Sequence, residues 1–318
     1  MTIKLDQILL LILSFSLIRV NAETIQFDRH VTLEVDLAGK RIPAWKHGAL
    51  RILDQTESLN PTILSLDRNG KTVSTIRFIL PGATWVRTSS WDSDANGMTA
   101  ICGGASDKDG RFAPFIAWST ASGEQFILRP DSYVPFHVAI GPDGHIWTLG
   151  SGRTDRADGK MPRIRQAGAP TIRRFDIKGK SVGEYLPLTE FKGKITPDDG
   201  LTLFTVGSNN RAMILSTSED VMFEVSASGQ VSKYNLPGLE NQSLSGPATT
   251  PSGDVYIGVT GKSQWSISKF DRNGVGLVPV LVGKVPVSRP LILLGADGDQ
   301  KLVTSSGGKT VDFYAIVK

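Results

Sequence analysis

Beyond the first 22 residues, short apolar runs alternate with polar positions at a period of two, and Gly, Asp, Asn or Pro interrupts them every 8 to 12 residues. Period-two alternation with frequent turn residues predicts strands and hairpins, with almost no helix. The stretch GPDGHIWTLG (141–150) is representative. Its turn, Pro142-Asp143-Gly144, runs directly into the alternating segment His145-Ile146-Trp147-Thr148-Leu149. Alternation sends Ile146 and Trp147 to opposite faces, toward opposite neighbouring sheets.

The pattern repeats. One turn recurs in SLDRNGKTVSTIRFILP (65–81), AWSTASGEQFILRP (117–130), RRFDIKGKSVGEYLP (173–187), FEVSASGQVSKYNLP (223–237) and SKFDRNGVGLVPVL (268–281). Its glycines are Gly70, Gly123, Gly179, Gly229 and Gly274. A tight hairpin needs at least one positive φ, which glycine accepts without strain. In three repeats an aromatic lies four to six residues earlier (Phe175, Phe223, Phe270), where it can fill the gap between packed sheets. A second turn falls between the first ones, in DANGMTAICG (94–103), GPDGHIWTLG (141–150), GSNNRAMILS (207–216), TPSGDVYIGV (250–259) and GADGDQKLVT (295–304). Two interleaved turns give four strands per period of about 45 to 55 residues, which is one blade of a β-propeller.

Counting blades predicts an all-β, six-bladed β-propeller with four antiparallel strands per blade. The second blade covers about 84–132, the third 134–190, the fourth 200–238 and the fifth 244–283, and the sixth begins near Ser288. The sixth ends with VDFYAIVK, one strand short, while the first shows its last three strands in GALRILD, PTILSLD and KTVSTIRFIL. The segment TIQFDRHVTLEVDL is expected to supply both missing strands, the first blade's inner one and the sixth blade's outer one. The N-terminal strand would thereby close the ring and remove an open sheet edge.

Residues 1–22 read as a signal peptide. Lys4 precedes an apolar run, Ile8 to Ile18, and Arg19-Val20-Asn21-Ala22 offers small residues for a cut after Ala22. The run is short for a membrane span, so no transmembrane segment is expected after cleavage. Residues 23–318 then form a single domain, periplasmic or secreted. The chain carries a net charge of +4, and removing Lys4, Arg19 and Asp6 leaves about +3. Weak basicity together with export speaks against a nucleic-acid partner. The sole cysteine, Cys102, lies on an apolar strand and is expected to be buried, so a large core must supply the stability that disulfides give many exported domains.

GPDGHIWTLG, TPSGDVYIGV, RRFDIKG and SKFDRNG resemble the repeats of six-bladed, TolB-like propellers, a group that includes NHL-repeat and gluconolactonase/regucalcin-like proteins. The resemblance spans nearly the whole mature chain and rests on structural turns, so it implies a fold rather than an activity. It also implies an expectation about faces. Both recurring turns join the first and second, or third and fourth, strands of a blade and lie on one face. The other loops lie on the opposite, loop-rich face, where ligands of this fold usually bind.

Candidate site residues therefore come from the loop-rich face. The segment 150–170 is far longer than its counterparts and carries Arg153, Arg156, Lys160, Arg163 and Arg165 against Asp155 and Asp158. Arginines in a long loop suit bidentate capture of carboxylate or phosphate. The starts of the inner strands add Trp85, Arg87, His137 and Arg289. A lactonase-type site would need oxygen ligands from several inner strands. The positions matching His137, about Ser90, Leu203, Gly246 and Leu291, supply no carboxylate; Asp92 and Thr249 lie nearby, and Glu34, Asp36, Asp198 and Asp199 remain loose candidates. No G-x-S-x-G or H-E-x-x-H motif is present. Asp107-Lys108-Asp109-Gly110 resembles the start of a calcium loop without its later acidic ligand, and reads as a surface turn.

The leading expectation is a non-catalytic, monomeric, exported propeller, without cofactor, metal site or catalytic residue. It would bind a protein partner or a small anionic ligand on its loop-rich face. The alternative is a metal-dependent hydrolase or lyase, lactonase-like, holding a divalent cation such as calcium at the central channel. A redox or quinone propeller ranks below both, since no docking motif for it is present.

Overall fold

The computed structural model describes residues 24–317, apart from positions 40, 58, 154–167, 192–201, 217–218, 240–241, 275 and 285–291. It is a six-bladed β-propeller. The first blade contains β2 (Arg41–Lys46), β3 (Ala49–Asp54), β4 (Thr62–Leu66) and β5 (Thr72–Arg77). The second has β6 (Trp85–Ser93), β7 (Thr99–Ser106), β8 (Phe112–Ser119) and β9 (Gln125–Leu128). β10 (Tyr133–Ile140), β11 (Ile146–Gly152), β12 (Pro170–Phe175) and β13 (Ser181–Pro187) make the third. The fourth is β14 (Thr202–Val206), β15 (Arg211–Ser216), β16 (Val221–Ser226) and β17 (Val231–Asn235). β18 (Ser243–Thr249), β19 (Val255–Thr260), β20 (Gln264–Asp271) and β21 (Gly276–Lys284) form the fifth. In the sixth, β22 (Ile292–Asp297), β23 (Lys301–Ser305) and β24 (Thr310–Val317) are completed on the outside by β1 (Thr24–Thr32). All pairings are antiparallel.

The early segment departs from expectation. It supplies only β1, the closing strand, while the first blade's inner strand is the separate β2, RIPAWK. The β2–β3 hairpin turns on His47 (φ 50°) and Gly48 (φ 77°), two consecutive positive values that match the twist of the flanking strands. Pro43 interrupts the alternation, and His47 precedes Gly48 where Asn or Asp is the usual hairpin residue, so the hairpin's sequence signal is weak. Among the recurring turns, Gly70, Gly123, Gly179 and Gly229 have positive φ, whereas Gly274 does not; in the fourth blade Asn210 (φ 57°) takes the position that glycine holds elsewhere.

The core divides into six clusters, one at each blade–blade contact. Trp147, Phe136 and Leu149 of the third blade meet Phe223, Ile214 and Val225 of the fourth. Ile146, on the other face of β11, packs with Cys102, Ile116 and Trp118 of the second. The opposed alternation of Ile146 and Trp147 thus serves two interfaces. Phe175, Phe223 and Phe270 each fill such an interface. A large apolar side chain buried this way contributes roughly 1.5–3 kcal/mol, so every blade depends on both its neighbours. Cys102 is fully buried, and desolvation pushes its thiol far above the ordinary range, which leaves it a small hydrophobe.

Inner strands are also joined by polar bonds. Ser90 Oγ accepts from Val138 N–H (3.3 Å), Asp92 Oδ2 from Ile140 N–H (2.8 Å), and Ser245 Oγ from Leu293 N–H (2.8 Å). Between the first and sixth blades the strands approach so closely that a Cβ on Gly295 would stand 2.2 Å from the Trp45 carbonyl oxygen. These contacts fix the ring around its axis and so fix the shape of anything bound there.

Candidate functional site

The loop-rich face carries a cleft of about 550 Å³. Two crossings between blades, 78–84 and 129–132, flank it, and the 107–111 loop between β7 and β8 forms its third side. Arg111 and Arg129 supply its positive charge, and Phe112, Pro81, Pro114 and Pro130 its apolar surface. Prolines fix φ and leave the crossings stiff. Arg129 Nη1 donates to the Ala113 carbonyl at 3.4 Å, and burial pulls the guanidinium below its ordinary pKa. Asp107 also lines the cleft, but its Oδ1 accepts the backbone N–H groups of Asp109 and Arg111, both at 2.9 Å. Asp67 and Asp176 hold their turns in the same way, so Asp107-Lys108-Asp109-Gly110 is a surface turn. Among the described residues, neither Arg111 nor Arg129 is in an ion pair.

The candidates chosen from sequence fall around this cleft in part. Trp85 opens β6 with 42% of its surface exposed. It pairs with Ser106, a cleft residue. Arg87 follows on the same exposed face of β6. His137 is half-buried in β10, its ring 6.4 Å from that of Phe204 on the next inner strand. Arg153 is not an exposed loop residue. It is 8% exposed, its guanidinium lies 5.5 Å from the Phe136 ring centre, and its N–H donates to Ser132 across the crossing. Stacking on an aromatic face gives a guanidinium a reason to fold inward. Arg156, Arg163, Arg165 and Arg289 lie outside the described residues, as do Asp198 and Asp199.

A second cavity, about 410 Å³, lies on the axis at the other end, and its lining comes from all six blades. The recurring turns set aside in sequence as structural surround it. Its charge is confined to one wall. Lys46 Nζ stands 2.8 Å from Asp92 Oδ1, while Asp92 Oδ2 holds the Ile140 N–H. Asp94 accepts from Met98 N–H and from the Asn96 amide. His47 is held below its ordinary pKa, first by burial and then by Lys46, against the pull of Asp92. The rest of the wall is hydroxyl or apolar, including Thr205, Thr249 and Pro247. Among the described residues, no three His, Cys, Asp or Glu side chains converge as metal ligands.

No family model matches the chain, and no characterised protein matches it in sequence. Solved structures do match it in fold. A calcium-binding regucalcin from Agrobacterium tumefaciens aligns with TM-score 0.53 at 14% identity, covering 91% of this chain and 95% of that one. A catalytically inactive virginiamycin B lyase from Staphylococcus aureus, solved with quinupristin, aligns with TM-score 0.52 at 14% identity over 91% of this chain and all of that one. A streptogramin B lyase gives 0.51 at 13% identity, covering 93% and 98%. The likeness is one of fold. It bears out the six-bladed propeller fold and carries no residue role across.

Arg111 and Arg129 were missed in sequence because each lies in a short loop of ordinary composition. The β8–β9 pairing of the second blade brings the two together. The one available signal was position: both fall in connections of the loop-rich face.

Proposed function

We propose that this protein is an exported, non-catalytic propeller that binds an anionic group, on a protein partner or a small molecule, at its loop-rich face. The observation that carries the reading is the cleft in which Arg111 and Arg129 are free of ion pairs among the described residues, with the exposed Trp85 paired to the cleft residue Ser106. A guanidinium already drawn below its ordinary pKa by burial gains from a carboxylate partner. Export is supported by the leader, and the sequence segment 150–170, with Arg156, Arg163 and Arg165, is itself basic. Among the described residues no helix is long and apolar enough to cross a membrane.

Calorimetric titration of the full mature chain with citrate and with a hexaglutamate peptide tests the reading. Saturable binding of either is expected, weakened by added salt. Arg129→Ala combined with Arg111→Ala should lower affinity about 10- to 100-fold, the range of one or two charged hydrogen bonds. Absence of binding to both probes, or unchanged affinity in the double variant, contradicts the proposal. Calcium that raises the melting temperature reversibly by chelator, together with turnover of a lactone, would establish the metal-dependent alternative instead.

A further inference from the structure

We propose that a separate cleft between the first and second blades, on the face of the recurring turns, binds a phosphate group through Arg51 and a set of hydroxyls. This cleft encloses about 450 Å³ and shares no residue with the loop-rich one. One wall is a cross-strand row: Arg51 on β3 pairs with Ser65 on β4, and Ser65 pairs with Ser74 on β5. Directly paired residues share a sheet face, so the guanidinium and two hydroxyls stand side by side. The facing wall is a second pair, Thr99 on β7 and Ser119 on β8. Gln125 spans the blades, donating to the Arg77 carbonyl at 2.6 Å and accepting the Ile79 N–H at 3.4 Å. That bridge holds the two walls at a fixed separation.

Two unsatisfied groups point to a ligand. The Arg51 guanidinium makes no hydrogen bond or ion pair among the described residues, and its Nε is buried without a partner. Thr99 is fully buried, and its Oγ1 also lacks a partner. A buried polar group left unpaired costs roughly 1–3 kcal/mol, and here two such residues line one cleft. Asp92 and Asp94 act on Arg51 electrostatically but line the axial cavity and hold partners of their own. Arg77, at the rim, is paired with Glu57. Arg51 therefore supplies the cleft's uncommitted positive charge. Donors on two facing walls suit a tetrahedral oxyanion, whose oxygens point in every direction. A planar carboxylate would be satisfied by the guanidinium alone.

The test is calorimetry and phosphorus NMR on the full mature chain, with inorganic phosphate, sulfate and glycerol 3-phosphate at constant ionic strength. Saturable one-to-one phosphate binding is expected. Arg51→Met should weaken it at least about tenfold and Thr99→Val several-fold, the range of lost charged and neutral hydrogen bonds. Tighter binding of glycerol 3-phosphate would identify a phosphorylated small molecule as the occupant, and equal binding the free ion. Should Arg51→Met fold poorly by circular dichroism, Ser74→Ala, an exposed position, must weaken binding alongside Thr99→Val. No saturable phosphate binding up to about 10 mM, or full affinity in Arg51→Met, or in both hydroxyl variants, would overturn the site.

Discussion

Asp143 shows how far a residue's role depends on what the fold brings to it. In sequence it belongs to GPDGHIWTLG, a stretch with the look of chemistry. In the structure its carboxylate accepts from the His145 N–H (3.1 Å), stands 3.2 Å from the His145 ring nitrogen, and binds Arg174 and the Asn210 amide. Asn210 sits in the equivalent turn of the next blade, so Asp143 is a pin between blades. The turn itself was legible because it repeats. Its partners were not: Arg174 reaches it only because β11 and β12 set Trp147 opposite Arg174, whose guanidinium lies 5.2 Å from the indole. Burial opposes ionisation of Asp143, but the His145 N–H, the Asn210 amide, Arg174 and His145 outweigh it and hold the carboxyl below its ordinary value. A depressed carboxyl adds stability that is complete above the unfolded pKa of about 3.9 and disappears as pH falls through the folded value. Asp143→Asn should therefore lower the melting temperature at pH 7 by about 2–4 °C, the effect of ~1 kcal/mol in a domain of this size. The difference from wild type should close as pH falls below that unfolded value and through the folded one. A deficit that is the same at pH 7 and in acid would rule out the ion pair as its source.

At the scale of strands and blades, the interfaces decide stability, and the polar ones hold the sharpest test. Glu224 on β16 is 1% exposed; Arg272 Nη2 and Nε of the fifth blade donate to its Oε1 at 2.6 and 3.0 Å, and the Tyr234 hydroxyl reaches its Oε2 at 3.3 Å. Glu224 is buried but the Arg272 side chain is about a third exposed, so removing the carboxylate leaves the guanidinium partly solvated, at a cost of about 1–3 kcal/mol. Glu224→Ala is expected to lower the urea midpoint correspondingly with an unchanged slope; a loss under about 0.5 kcal/mol would show that the pair behaves as a surface one. Strands of this kind were readable wherever the alternation ran unbroken between turns of standard chemistry, as in β11 or β16. β2 was not, because Pro43 and the His47-Gly48 turn hide a hairpin that packing against Leu50, Val303 and Phe313 secures through Trp45. The same contrast governs the site. Trp85 and Arg87 could be placed at the start of β6 because inner strands start at predictable places. Arg111, Arg129 and the Arg51 row were not, since each depends on the register of strands paired within a blade.

For the whole molecule, closure is the feature on which everything else rests. β1 pairs with β24 from Thr24–Val317 to Thr32–Thr310, with one irregularity between Phe27 and Arg29. Of its side chains only Ile25 is buried. The seam is strengthened just beyond it, where the N–H groups of Leu33 and Leu37 donate to the Lys309 and Gly308 carbonyls at 2.7 and 2.8 Å. Leu33 and Leu37 are themselves buried with Trp45, Leu294 and Phe313, between the first and sixth blades. Backbone pairing thus locks the outer edge while leucines lock the interface, and the two contributions can be separated. Leu33→Ala leaves the strand in place and should cost about 2–5 kcal/mol as a cavity, with unfolding still a single transition. Deleting residues 24–32 leaves the leucines but bares the backbone of β24, an eight-residue edge rich in apolar side chains. Such an edge recruits other chains, so the truncated protein should elute in size-exclusion chromatography as larger assemblies than the chain that retains residues 24–32 at the same concentration. A truncated chain that forms no larger assemblies and melts within about 2 °C of the full one would mean that five complete blades and the leucine seam hold the ring without its closing strand.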